Sequence, residues 1–243
     1  MTGMGGAGLW IRWSWRDLRH RWLLVVAIAL VIALGTGAYA AFTGSATWRR
    51  TSNDLSFAAV GTHDLRARLA PGTSAPEGLL LRRVRDADPA GEVTSVVERL
   101  VLPTQLDVGT ATGDDLLVTG QLVGAGEPAG TGAVDSVYVS AGRGLRPEDA
   151  GQPVAVLERN FAEHHSLPPE GELRVGGDRT LRWVGHGQAP EYFILTGEDG
   201  SGFFGQSTFG VLFTSLPTAQ DVAGAPGQVN DVVLRVRDGA DVP

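Results

Sequence analysis

Twenty-one consecutive positions, Trp22 to Phe42 (WLLVVAIALVIALGTGAYAAF), carry no charged side chain, and no other stretch of the chain resembles them. A helix rising ~1.5 Å per residue makes this run roughly 31 Å long, about the thickness of a bilayer's hydrocarbon core. The pattern predicts a transmembrane helix over residues 22–42. Before it, Arg12, Arg16 and Arg19 share one helical face, while Trp10, Trp13 and Leu18 lie mostly on others. Residues 9–21 are therefore expected to form an interfacial helix leading into the span, with indole rings at the membrane–water boundary. Arg12, Arg16, Arg19 and Arg21 precede the run against Asp17 alone, and the next charges are Arg49 and Arg50. The positive-inside tendency puts the N-terminus in the cytoplasm and residues 43–243 outside it. A cleaved signal peptide has the same charged start and apolar middle, and Ala38-Tyr39-Ala40 fits a small-x-small cleavage site. The run is longer than a signal core of roughly 7–15 residues. It also continues past Gly35 and Gly37, so the expectation is an uncleaved anchor.

Residues 43–57 (TGSATWRRTSNDLSF) read as a polar stalk, helical for part of their length. His63 to Leu69 alternates polar and apolar residues and predicts a strand. Ser74-Ala75-Pro76-Glu77 fits a capping box with Ser74 as N-cap, followed by the helical apolar face Leu80, Leu81, Val84 and Ala87. Val93 to Val108 reads as β, broken near Pro103. Short strands separated by Gly-rich turns are expected at Leu116–Val123, Val134–Ser140, Val154–Leu157, Glu172–Val175 and Thr180–Val184, forming an antiparallel sheet or a small barrel-like layer. Glu158 to His165 predicts a short helix, Phe209–Phe213 a strand, Pro217 to Ala223 a helix stopped at Gly224, and Val229 to Val236 a last strand. The fold class is α+β: one N-terminal transmembrane helix, then an extracytoplasmic mixed α/β lobe with an inserted β-rich lobe.

Composition narrows the chemistry. Residues 43–243 carry 16 Arg against 26 Asp plus Glu, an acidic surface that argues against nucleic acid as a partner. There is no cysteine, so no disulfide and no thiolate metal site. There is also no lysine, which rules out a phosphate-binding P-loop and Schiff-base catalysis within the chain. Glu163-His164-His165 groups three metal-ligand types, but neighbouring residues on a helix diverge, and a solvated helix end is the favoured reading. His63-Asp64 lacks a Gly-x-Ser-x-Gly nucleophile turn to complete a triad and reads as a solvated strand start. His186, between Gly185 and Gly187, is of the residue type that titrates near neutral pH, but a plain turn residue is the favoured reading. Gly124-Ala125-Gly126 lacks the third glycine of a dinucleotide fingerprint. Phe203 and Phe204 within Gly200–Gly205 fit either a loop tip touching lipid or a partner, or a packed hairpin end. The expectation is a protein that is not an enzyme, with no catalytic, cofactor or metal residue to assign and no cofactor.

Three stretches resemble a known family. They are the arm plus span, WIRWSWRDLRHRWLLVVAIALVIALGTG; then VVERLVLPTQLDV followed by VTGQLVG; then Val137 to Phe193. The last contains Gly142-Arg143-Gly144-Leu145, the pair Glu148-Asp149, VAVLERNFAEHHSLPPEGELRVGG and VGHGQAPEYF. Their order resembles the extracytoplasmic core domain between the first two spans of FtsX-like, MacB-type ABC transporter permeases. The resemblance implies a permease subunit, working with a cytoplasmic ABC ATPase subunit, that couples ATP hydrolysis to export or mechanotransmission and performs no bond chemistry itself. It implies four or more spans, so the one span here is expected to belong to a fragment that stops within the first outer domain. The domain plan is then residues 1–21 as cytoplasmic arm, 22–42 as span, 43–57 as stalk and 58–243 as an incomplete core domain. Membrane lipid and a second permease copy are the other partners. The alternative is a single-pass anchored binding or interaction module; an anchored or secreted enzyme acting through Asp64, His63 or Glu163 is the remaining one.

Overall fold

The computed structural model describes residues 5–109, 115–127, 129–130, 133–192 and 208–237. Phe203, Phe204 and the rest of the Gly200–Gly205 segment lie outside them. The chain divides into two compact units, Met1–Leu55 and Ser56–Pro243.

The first unit holds helix α1 (Gly5–His20) and most of helix α2 (Trp22–Val60). Only Arg21 separates them, and its N–H still donates to Asp17 O at 3.0 Å. Among the described residues α2 is the one helix long and apolar enough to cross a membrane, with a mean hydropathy of 2.4 and none of that window buried. The helix runs through the glycine pair and on through all of 43–57, farther than the sequence pattern suggested. Its hydroxyls explain part of this. Thr36, Thr43 and Thr47 each donate to the carbonyl four residues back, at 2.8, 2.9 and 3.0 Å. Each thus hides its polar atom against its own helix.

Among the described residues, the second unit holds a ten-stranded sheet and a two-stranded one, with three short α-helices packed against them. In order it contains β1 (Leu65–Arg68), β2 (Ala75–Pro76), α3 (Leu79–Ala87), β3 (Val93–Gly109), β4 (Asp115–Ala125), β5 (Ala129–Gly130), β6 (Tyr138–Gly142) and β7 (Val154–Glu158). Then come α4 (Arg159–His164), β8 (Gly171–Val175), β9 (Arg179–Gln188), β10 (Phe209–Ser215), α5 (Leu216–Ala223), β11 (Gln228–Val229) and β12 (Asp231–Val236). Six strands close on themselves. β3 pairs β4, then β10, β7, β9 and β8 follow in turn, and β8 returns to β3 at Leu106–Val108. The expected barrel-like layer is therefore present, but it is mixed: β4 with β10 and β7 with β9 are parallel. Leu106, Leu122, Leu157, Leu173, Val175, Leu181, Trp183 and Leu212 from these strands, with Phe161 of α4, share one buried cluster. β12 and β1 continue the sheet from the first half of β3, and β6 borders β9.

Pro103 does not break β3. The strand is continuous and pairs Pro103 with Gln121. Its missing N–H points away from β4, on the side where Val101 meets Asn230 and Gln105 accepts from Gly176. That side is unpaired between the start of β12, at Arg99, and the end of β8, at Leu106, so no ladder bond is lost.

The capping box at Ser74–Glu77 does not form. Ser74 bonds Gln228 Oε1 at 2.9 Å, and Ala75–Pro76 pairs with β11. α3 starts after Gly78, whose φ is 82°. Its free N–H groups go to Glu98 of β3: Gly78 N to Oε2 at 2.6 Å and Leu81 N to Oε1 at 2.8 Å. An ionised carboxylate held at the positive end of a helix is a stronger partner than a serine hydroxyl. The strand expected at Val134–Ser140 instead occupies Tyr138–Gly142, because Asp135 adopts a left-handed φ of 51° that extended backbone excludes. The helices that follow β7 and β10 obey their local signals. Glu158 caps α4 by accepting from Phe161 N, and Ser215 caps α5, which stops at left-handed Gly224.

Candidate functional site

Where α2 ends, its last turn is tied into the sheet. Gly61 follows the helix with φ 64°. Thr62 N donates to Phe57 O at 3.0 Å and Gly61 N to Ala58 O at 3.3 Å, the pair of bonds that closes a helix through a left-handed residue. Two more carbonyls are taken by a segment far along the chain: Ser136 N donates to Val60 O at 2.8 Å and Asp135 N to Gly61 O at 3.0 Å. A Cβ on Gly61 would stand 2.2 Å from Ala133 O, so the two backbones meet at a distance that only glycine allows.

The side chain of Asp135 completes this joint. It accepts from His63 N at 3.0 Å and meets His63 Nδ1 at 2.8 Å. Arg99 of β3 donates to it at 3.1 Å, to Glu191 Oε2 at 2.8 Å and to Asp231 Oδ1 of β12 at 2.7 Å. Arg66 of β1 bonds Asp231 Oδ2 at 2.7 Å and also pairs with Glu191. Two guanidiniums and one imidazole thus face three carboxylates drawn from six places in the sequence. Arg99 is 3% exposed and Asp231 is fully buried.

Electrostatics holds these charges in place. Burial works against the Arg99 cation, but the carboxylates of Glu191 and Asp231 outweigh it and raise its pKa. Arg66 is raised in the same way. Burial alone would raise Asp135, yet the hydrogen bond and charge of His63, with Arg99, lower it below the usual carboxylate value. Tyr192, beside Glu191, is pushed up by burial and packs edge-on to Phe213, with ring centres 5.6 Å apart. His63, Asp135 and Glu191 bring ligand atoms within 4.8 Å of one another. Those carboxylates are already engaged by Arg99 and Arg66, whose positive charge opposes a metal ion there. The arrangement ties the segment after α2 to β1, β3 and β12.

The other candidates fall elsewhere. His63 turns to Asp135 rather than to Asp64, whose carboxylate accepts from Val236 N at 2.8 Å. His63 is part of the joint and not a solvated strand start. His186 is not in a turn: it lies within β9, 6% exposed, with Nε2 2.9 Å from Pro168 O. Its flanking glycines serve close approach, since a Cβ on Gly185 would lie 2.3 Å from Arg143 O and one on Gly187 2.4 Å from Val137 Cγ1. Glu163 pairs with Arg159 at 2.7 Å, and His164 and His165 stack edge-on, so the three do not converge. Gly124 and Ala125 end β4. In the Gly142–Leu145 turn, Arg143 grips Asp149 at 2.6 and 3.0 Å while Arg146 N also donates to it. A groove of about 590 Å³ separates the starts of α3 and α5, bordered by Glu77, Glu98, Glu127, Leu81, Leu216 and Pro217. Arg66, Arg99, Asp135, Glu191 and Asp231 escaped the sequence reading. The available signal was charge inside apolar strands, as in Glu98-Arg99 within VVERLVL and Asp231 before VVLRV.

A long apolar helix near the N-terminus, able by length and composition to cross a membrane, precedes a charge-locked sheet domain. The family of the MacB-like periplasmic core domain matches residues 23–243, and the chain belongs to it: this is the core domain of a MacB/FtsX-like ABC-transporter permease. Among solved structures it is similar to the periplasmic region of MacB from Actinobacillus actinomycetemcomitans, at 13% identity over 72% of this chain and 75% of that one, with a TM-score of 0.45. It is also similar to the extracellular domain of the noncanonic ABC-type transporter YknZ from Gram-positive bacteria, at 13% identity over 72% and 83%, with a TM-score of 0.46. No curated protein matches the chain.

Proposed function

We propose that this chain is the part of an ABC-transporter permease that carries motion between the membrane and an outer domain, driven by a separate cytoplasmic ATPase. Residues 1–21 lie on the cytoplasmic side, α2 crosses the bilayer, and residues 58–243 face the outside. The chain performs no bond chemistry; with no lysine it carries no P-loop of its own.

One observation carries this reading. The membrane helix continues without interruption from Trp22 to Val60, and its last turn is bonded into the sheet through Ser136, Asp135 and the Arg99 charge set. A flexible linker would dissipate a displacement of the span, whereas a continuous helix passes it on. The test is a Gly-Gly-Ser insertion within Trp48–Asp54. Complexes are purified from native membranes through a tag on the outer domain, and the co-purifying ATPase is identified by mass spectrometry. Spin labels on the outer domain then report its response to ATP. The insertion should leave membrane insertion and ATPase association intact and abolish the ATP-dependent distance change. An unchanged response, or the absence of any ATPase from the wild-type complex, would refute the proposal.

A further inference from the structure

The arm before the span has its own chemistry. At about 100° per residue, Trp10, Leu18 and Trp15 of α1 occupy an arc of roughly 140°, and Arg19, Arg16 and His20, with Trp13 beside His20, occupy the opposite side. The apolar side chains have no cover: Trp10 is 72%, Trp15 67% and Leu18 50% exposed. Asp17 is directed to Arg21, 3.5 Å away, and among the described residues Arg16 and Arg19 have no ion-pair partner. Trp13, Arg16, Asp17 and His20 border a niche of about 250 Å³. An indole, a guanidinium and an imidazole around a concave patch are donors to a phosphate diester, and the indole also settles at headgroup depth.

We propose that α1 binds anionic phospholipid in the leaflet where it lies, its Arg16–Arg19–His20 side engaging phosphodiester headgroups while Trp10, Trp15 and Leu18 enter the acyl boundary. This rests on the anchored reading above. The occupant follows from charge: each arginine near an anionic leaflet strengthens surface association about fivefold, and a neutral leaflet offers no such gain. Lipid composition thereby sets how firmly the arm is held at the start of the span.

The full chain is reconstituted in nanodiscs of phosphatidylcholine, with or without phosphatidylglycerol, and chymotryptic cleavage within Trp13–Leu18 is timed. Phosphatidylglycerol should slow cleavage. Arg16→Gln with Arg19→Gln should reduce that protection about 25-fold, and Asp17→Asn should increase it. Salt at 1 M, where the screening length is about 3 Å, should remove it. Equal cleavage in both discs overturns the inference while leaving the anchor intact. The same protection in phosphatidylcholine discs supplied with inorganic phosphate overturns lipid as its source. A chain that never enters the discs overturns the anchor and this inference together.

Discussion

Gly61 and Gly224 make a matched pair, and substituting each by alanine separates backbone strain from the joint itself. Both follow a helix, with φ of 64° and 62°. Both close it by the same two bonds; at α5 these are Gly224 N to Asp221 O at 3.0 Å and Ala225 N to Gln220 O at 2.9 Å. Alanine in this left-handed region costs about 1–2 kcal/mol at either site. Beyond that the two differ. A Cβ on Gly224 meets nothing within 4 Å, whereas one on Gly61 meets Ala133 O at 2.2 Å and Ala133 C at 3.0 Å. Those are backbone atoms, so the 133–136 segment must move. It then loosens Asp135 N to Gly61 O and Ser136 N to Val60 O, each worth about 1 kcal/mol. Gly224→Ala should therefore cost about 1–2 kcal/mol and Gly61→Ala about 3–4 kcal/mol. Urea unfolding of the detergent-solubilised chain, followed by the circular dichroism of its sheet, measures both. Equal losses at the two sites would refute the claim that the segment is clamped against the helix end.

Asp135→Asn tests the charge set, and asparagine tolerates the left-handed backbone there. Because the folded pKa of Asp135 lies below its unfolded value of about 3.9, its contribution is complete above that value and is lost as pH falls through the folded one. The stability gap between wild type and variant should be present at neutral pH and close below about pH 4; a gap that persists or widens there contradicts the assignment. Glu98→Gln keeps the shape of the α3 cap but removes its charge, and should cost about 1–2 kcal/mol with faster amide exchange at Gly78 and Leu81. Unchanged exchange at those two amides would show that Glu98 does not start the helix.

What could be read along the chain was whatever neighbours in sequence decide. The uncharged run at 22–42 needs no partner to be recognised, and α5 announces itself through Pro217 and Gly224. The capping box failed for the complementary reason. Ser74 and Glu77 have suitable spacing, but the acceptor that α3 uses is Glu98, on another element. Pro103 was a local signal overruled by a gap between strands that only the ring closure creates. The joint was least legible of all, since Arg66 and Asp231 stand 165 positions apart and Asp135 is 72 from His63. No spacing rule links them. A charged residue in an apolar strand says only that a partner exists, not where it lies.

The Gly61-Thr62 pair shows why the end of α2 is a joint rather than a hinge. A glycine directly after a long helix, next to a small polar residue, reads as a point of flexion. Here its freedom is already used. The left-handed turn spends it, two carbonyls are bonded to Ser136 and Asp135, and Ala133 O occupies the space where another side chain would begin. Rotation about this point would uncover Asp135 and Arg99 together. Separating a buried ion pair leaves charges without partners, at a penalty of about 3–5 kcal/mol. Thermal energy of about 0.6 kcal/mol does not do that readily, whereas the ATP-driven motion proposed above would have energy to spare for it. The resistance is therefore steep but finite. Under the proposed function, small displacements of the helix would be handed to β1, β3 and β12 through Arg66, Arg99 and Asp231, and only a large one would break the contact. A soft linker made of the same number of residues could do neither.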